Sequence, residues 1–201
     1  RLARHHTVVV PDLPGHGGSD AVHDPSGHEW SALVDAMAEI MARHAPGPAI
    51  WAGYSMGGRL ALSAAASGRV RPAALVLEST SPGLADDQAR AARRASDEEW
   101  ALMLDQGDMA AFVDAWMGQP LFETQHRLPR LVRDAERARR LDGDTASLAA
   151  CLRGFGTGTQ PSWWSELGGV TCPVLLVSGR LDVKFDEVAE RMARALPDAT
   201  R

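Results

Sequence analysis

The serine in Gly53-Tyr54-Ser55-Met56-Gly57 has the surroundings most typical of a reactive side chain. A Gly-x-Ser-x-Gly pattern between a strand and a helix is characteristic of a sharp turn that holds a serine hydroxyl above a sheet. Glycine is expected at positions 53 and 57 because a side chain at either position would crowd the turn. The turn itself holds the serine backbone in a strained conformation. Met56 would begin the following helix, and its N–H would bind the negative charge that develops on a substrate oxygen. The competing interpretation is an ordinary glycine-rich turn.

A reactive serine needs a histidine to take its proton, and the histidine needs a carboxylate to orient it. Asp182 fits the carboxylate because it closely follows an apolar run, residues 174–178, and comes after the serine in chain order. The alternative role of Asp182 is a turn or a helix cap.

The histidine of this triad is absent from the chain, because no histidine follows His126. We expect it to lie beyond a chain that is truncated at both ends, and we expect the 201 residues alone to show no turnover. His16 follows the first apolar run and is expected to pack near the mouth of the site. The remaining histidines are expected to be solvated or to lie in turns: His5, His6, His23, His28, His44 and His126.

Alternating strand and helix patterns position these residues. We predict strands at residues 6–10, 49–53 and 73–77, helices at 30–44 and 57–66, and a turn-rich loop at 11–19. A further strand at residues 172–179 and a helix at 185–196 complete the pattern. This alternation of strands and helices predicts an α/β fold with an open, mostly parallel sheet flanked by helices.

Residues 86–153 interrupt this alternation, because they show successive amphipathic helical patterns and no convincing strand. We interpret this stretch as a helical lid inserted into the sheet domain. The predicted organisation is therefore a first core segment at residues 1–85, the lid at 86–160 and a second core segment at 161–201.

Composition limits the classes of partner. The formal net charge of −5 provides no basic field for nucleic acid or for an anionic membrane surface. No apolar run approaches the roughly 20 residues of a membrane span, so we expect neither nucleic-acid binding nor stable membrane association. Cys151 and Cys172 lack metal or redox spacing, which favours the reducing cytoplasm.

Several stretches along nearly the whole chain resemble one family, the 2-succinyl-6-hydroxy-2,4-cyclohexadiene-1-carboxylate synthases of menaquinone biosynthesis, which are lyases of the α/β-hydrolase fold. The arginine after the serine motif, the Ser-Pro-Gly-Leu sequence and the Asp-x-Lys-Phe sequence are the specific features. The matching stretches are residues 12–19, 53–62, 78–84, 116, 119–122, 148–149, 156–161 and 182–185.

The resemblance implies a cofactor-free elimination of pyruvate from a small polycarboxylate substrate. Ser55 would act as the triad-activated general base, with Asp182 as triad carboxylate and Met56 N–H in the oxyanion hole. The resemblance also implies substrate contacts from Tyr54, Arg59, Arg93, Trp116 and Arg140, and Arg90, Arg94 and Arg139 lie close enough to replace the lid arginines if the register slips. Arginine suits carboxylates because its planar fork donates two charge-assisted hydrogen bonds.

Two other functions remain open from the sequence. A serine hydrolase of esters, thioesters or carbon–carbon bonds would use Ser55 as a nucleophile on the same fold. A non-catalytic protein would keep the pocket and lack the histidine.

Overall fold

The computed structural model describes residues 2–21 and 29–201, so His23 and His28 lie outside the described residues. The helices are α1 (Trp30–His44), α2 (Met56–Ala66), α3 (Asp87–Asp105), α4 (Met109–Met117), α5 (Arg130–Leu141), α6 (Thr145–Phe155) and α7 (Val183–Ala195). The strands are β1 (Ile50–Tyr54), β2 (Ala74–Glu78), β3 (Val174–Val177) and β4 (Ala199–Thr200), and 3-10 helices span Leu2–Arg4, Pro120–Arg127 and Leu167–Gly169.

The chain divides into two compact units. The sheet unit comprises Arg1–Val10, Glu29–Ala91 and Thr157–Arg201, and the helical unit comprises Pro11–His28 and Ala92–Gly156. The helical unit therefore holds most of the predicted insertion at 86–160 together with the loop after Val10. Its role as a lid stays a prediction.

Within residues 2–21 and 29–201, four parallel strands in the order β1-β2-β3-β4 form a sheet. Leu75 and Leu77 of β2 are almost completely buried, and α2 adds Leu62 to the same core. The small residues of α2 allow it to approach the sheet closely. The parallel sheet flanked by helices that the sequence predicted is confirmed.

The predicted strand at residues 6–10 is wrong. Residues 7–10 have no regular secondary structure, and the Val10 side chain is 80% exposed. In the described part of the chain, the valine run is not paired with any strand of the sheet. A β-branched run becomes a strand only when a neighbour supplies hydrogen bonds and packing.

The helical unit has its own apolar core, which contains Ala101 and Leu104 of α3 and Phe112 and Val113 of α4. Arg153 of α6 donates to Glu98 and to Asp105, and so joins α6 to α3. Over residues 2–21 and 29–201, the helices are either too short or too polar to cross a membrane.

Candidate active site

Ser55 connects β1 to α2 in strained backbone, with φ 50° and ψ −111°. Its N–H donates to the carbonyl oxygen of Glu78 at 2.9 Å, which extends the β1–β2 pairing by one residue. Thr80 Oγ1 lies 3.2 Å from the carbonyl oxygen of Ser55 and is buried. These contacts hold a left-handed conformation that costs about 1–3 kcal/mol for a residue with a side chain.

The glycines around Ser55 do not play equal parts. A methyl group on Gly53 would overlap the Gly57 carbonyl, whereas one on Gly57 would meet nothing within 4 Å. The prediction that both flanking glycines relieve crowding is therefore right for Gly53 and wrong for Gly57. The second crowded position is Gly58, where a methyl group would overlap Thr80 Oγ1. The turn packs against the loop after β2, which the sequence pattern does not reveal.

Met56 is the first residue of α2. The N–H groups in the first turn of an α-helix have no partner within the helix, and the helix dipole adds positive potential there. The Met56 N–H is therefore chemically suited to bind a negatively charged oxygen beside Ser55.

Asp182 follows β3 and caps α7, where its Oδ1 accepts from Phe185 N–H at 3.3 Å. The capping interaction that we considered as an alternative is present. In the strand order, β2 separates β1 from β3, so Ser55 and Asp182 follow strands two places apart at the same edge of the sheet. Strands two places apart in a sheet are separated by about 10 Å.

Asp186, one turn into α7, is a less suitable triad carboxylate. Ser178 Oγ donates to Asp186 Oδ1 at 2.9 Å and Arg201 also donates to it. These hydrogen bonds, Ser178 first, hold the pKa of Asp186 below its usual range. Ser178 and Arg201 thus already donate to the carboxylate that a triad histidine would have to bind.

The described histidines are all exposed. His16 is exposed in the helical unit, and its Nδ1 lies 3.0 Å from the carbonyl oxygen of Pro14. His5, His6, His44 and His126 are exposed, as expected of solvated side chains.

Arg59 lies one turn after Ser55 in α2. Its Nη1 donates to Gln160 Oε1 at 3.1 Å, and its guanidinium carbon lies 4.9 Å from the centre of the Trp30 ring. Sequence reasoning gave no role to Gln160 or Trp30, although Gln160 belongs to one of the stretches that carry the family resemblance. Tyr54, at the end of β1, is 64% exposed.

The other candidate substrate contacts belong to the helical unit. Arg93 Nε donates to Asp97 Oδ1 at 2.7 Å, and Arg140 Nη1 lies 3.2 Å from Glu136 Oε2. Trp116 stacks on Phe112, with ring centres 5.6 Å apart. The neighbouring arginines are arranged differently: Arg90 donates to Leu84 O and pairs with Asp87, Arg139 pairs with Glu136, and Arg94 is exposed.

The structure thus brings Tyr54, Ser55, Met56 and Arg59 together at the β1–α2 junction and puts Asp182 at the same sheet edge. The part of the chain that the structure describes contains no cluster of three or more histidine, cysteine or acidic side chains that could hold a metal ion.

Comparison with known proteins gives concordant matches. The family model described as the alpha/beta hydrolase family matches residues 1–201. A Bacillus subtilis protein provisionally named as a 2-succinyl-6-hydroxy-2,4-cyclohexadiene-1-carboxylate synthase is 38% identical over 96% of this chain and 70% of its own length. The synthase of that name from Salmonella paratyphi C is 34% identical over 90% of this chain and 70% of its own length.

A solved structure agrees with these sequence matches. The structure of MenH from S. aureus aligns with a TM-score of 0.89 and 34% identity, and covers 94% of this chain and 71% of that one.

Proposed function

Because the chain belongs to the alpha/beta hydrolase family and, within it, to the 2-succinyl-6-hydroxy-2,4-cyclohexadiene-1-carboxylate synthases, we propose that it is a carbon–oxygen lyase of menaquinone biosynthesis. The substrate is 2-succinyl-5-enolpyruvyl-6-hydroxy-3-cyclohexene-1-carboxylate, from which the enzyme eliminates pyruvate. The observation that carries the proposal is the strained backbone of Ser55 at the strand-to-helix turn. Ser55 follows β1 and Asp182 follows β3 at the carboxyl ends of strands in one parallel sheet, which supports a shared site.

In the proposed reaction, Ser55 acts as a general base rather than as a nucleophile. Its Oγ passes a proton to the triad histidine and takes a proton from a ring carbon of the substrate. The electrons of that C–H bond move through the ring, and the carbon–oxygen bond to the enolpyruvyl group breaks. Pyruvate leaves as its enolate, and the ring becomes a diene. The reaction uses no cofactor.

Negative charge develops on the substrate as the ring proton leaves. Met56 N–H, at the N-terminus of α2, is suited to stabilise this charge because it has no partner within the helix. Asp182 orients the histidine and stabilises its charged form. Arg59 binds one of the substrate carboxylates, and the resemblance assigns the remaining contacts to Tyr54, Arg93, Trp116 and Arg140.

The two cysteines bear on the cellular setting. Both cysteines are free, with Cys151 in the helical unit and Cys172 in the sheet unit. Free thiols suit a reducing compartment, and we propose that the enzyme works in the cytoplasm on a small soluble substrate.

The test is an assay of the full-length protein on the proposed substrate, with pyruvate release as the readout. Ser55→Ala should reduce kcat at least about a thousandfold because it removes the reactive oxygen. Ser67→Ala, at the opposite end of α2, is the matched control and should retain activity. Absence of pyruvate with covalent labelling of Ser55 by a fluorophosphonate would instead identify a serine hydrolase, and absence of both would identify a non-catalytic protein.

A further inference from the structure

Gln160 is a fully buried polar side chain in the sheet unit that contacts a proposed substrate-binding residue. Its Oε1 accepts from Arg59 Nη1 at 3.1 Å, and its Nε2 donates to the carbonyl oxygen of Ser81 at 3.4 Å. The amide therefore has both ends engaged, which fixes its orientation. It links Arg59 to the loop that follows β2.

Trp30 holds the same guanidinium from another direction. The guanidinium carbon of Arg59 lies 4.9 Å from the centre of the Trp30 ring, within the range of a cation–π interaction. The indole is itself fixed, because Trp30 is buried and its Nε1 donates to the buried Ser63 Oγ at 3.0 Å. Arg59 thus has a rigid aromatic partner as well as a rigid amide partner.

The chemistry of these two partners suits a carboxylate-binding arginine. A buried amide oxygen and an indole face can each hold a guanidinium in one orientation. A long arginine side chain loses rotamer entropy when it is immobilised, and a side chain that is ordered beforehand loses less on binding.

We propose that Gln160 is a positioning residue that orients Arg59 toward a substrate carboxylate and so sets affinity for carboxylate-bearing substrates. The proposal rests on the function proposed above, in which Arg59 binds such a group. Gln160 itself touches Arg59 and not the substrate.

The first test is the kinetics of Gln160→Met in the full-length protein. Methionine fills a similar volume but accepts no strong hydrogen bond, so KM should rise by about tenfold while kcat changes by less than about threefold. In an Arg59→Ala background, the same substitution should have almost no further effect on KM, because Gln160 acts through Arg59. Gln106→Met, at an exposed position near the end of α3, is the matched control.

Gln160→Glu provides a second variant that keeps the shape of the side chain. Its carboxylate would pair with Arg59 and compete with the substrate, so KM should rise although the variant remains folded. A KM within twofold of the parent value in both folded variants would overturn the proposal, as would an undiminished effect of Gln160→Met in the Arg59→Ala background.

A measurement without substrate separates this proposal from the proposed function. The Arg59 Nε–H signal, assigned by its loss in Arg59→Lys, should report an ordered side chain in the parent protein and a mobile one in Gln160→Met by ¹⁵N relaxation. Equal order in both would overturn the positioning role even if pyruvate is formed. A parent protein that forms no pyruvate but shows the loss of order would refute the proposed function and leave the orienting contact established.

Discussion

Ser55 and Ser79 are the described residues other than glycine that have positive φ, at 50° and 44°. Each directly follows a parallel strand, and each donates its N–H to the next strand: Ser55 to Glu78 O and Ser79 to Val177 O, both at 2.9 Å. The two turns therefore extend the sheet while the chain reverses direction. The strain at Ser55 is maintained by this shared edge, which involves residues far apart in the sequence.

The unequal crowding of the glycines leads to a matched pair of substitutions. Gly53→Ala should destabilise the fold by about 1–3 kcal/mol because its methyl group would overlap backbone that cannot move independently. Gly57→Ala should be neutral or stabilise the fold by up to about 1 kcal/mol, since the position is helical and open. Urea unfolding of both variants measures the difference, and equal destabilisation would contradict the geometry of the turn.

Local patterns predicted the residues around Ser55 more successfully than the contacts that support them. The Gly-x-Ser-x-Gly spacing was sufficient to predict strained backbone at Ser55, because the pattern encodes a local turn. The contact of Thr80 with Ser55 and that of Gln160 with Arg59 join distant parts of the chain. A single sequence carries no signal for such pairs. The roles of Asp182, Arg93, Trp116 and Arg140 in the reaction stay predictions.

Among the elements, α1 has the bounds that the sequence predicted. Residues 30–44 carry helical apolar spacing, and Pro46 follows closely, so both signals are local. The valine run at residues 7–10 shows the opposite case, because its strand propensity depends on a pairing partner. Helices of the interrupting segment were predicted as a group, but their packing into a core around Leu104 and Phe112 was not.

Helix α3 offers a test of that core with two leucines of contrasting burial. Leu104 is completely buried, whereas Leu102 is 53% exposed. Leu104→Ala should reduce the free energy of unfolding by about 2–5 kcal/mol, because it leaves a cavity. Leu102→Ala should change it by less than about 0.5 kcal/mol. Chemical denaturation followed by circular dichroism measures both, and similar losses would mean that α3 is packed through another face.

The contact between α3 and α6 predicts a dependence on pH. Hydrogen bonds from Arg153 lower the pKa values of Glu98 and Asp105 from their ordinary values of 4.5 and 3.8. Carboxyls with depressed folded pKa values stabilise the fold above their unfolded pKa values, and this contribution disappears as the pH falls through the folded values. It should be present at pH 7 and decline below about pH 4.5.

Arg153→Met should therefore destabilise the protein at pH 7 and reduce the loss of stability between about pH 5 and pH 3. Both carboxylates are more than a third exposed, so solvent screening limits the effect to about 1 kcal/mol. Arg130→Met is the control, because its pair with Asp134 is long and exposed. An unfolding profile across pH that is identical in the Arg153 variant and the parent would contradict the contact.

At the scale of the whole molecule, the sheet unit is assembled from three separate segments and the helical unit from two. The register that pairs Leu75 with Val174 joins strands on either side of the entire helical stretch. Non-local parallel pairing of this kind cannot form until the intervening chain has been accommodated, which makes it slow to form. Because this pairing joins segments far apart in the chain, local sequence patterns yielded the elements and the fold class but not the strand order.

The two cysteines allow each unit to be followed separately. Burial raises the pKa of Cys151, in the helical unit, to about 11, and its Sγ lies 3.2 Å from the carbonyl oxygen of Pro14. Burial also raises the pKa of Cys172, in the sheet unit, but that side chain is only half-buried. Since the thiolate is the reactive form, both should react slowly in the native protein at pH 8, and Cys151 more slowly.

Labelling with a thiol reagent should therefore show two rates in the native protein, with Cys172 reacting at least about tenfold faster than Cys151. Cys151→Ser and Cys172→Ser assign the two phases. In denaturant the difference should disappear, because both thiols then have ordinary pKa values and full access. Because Cys151 can react only when the helical unit opens, Leu104→Ala should accelerate its labelling, whereas Leu102→Ala should not. If Cys151 reacts as rapidly as Cys172 in the native protein, the segment around Pro14 does not pack against α6 as described.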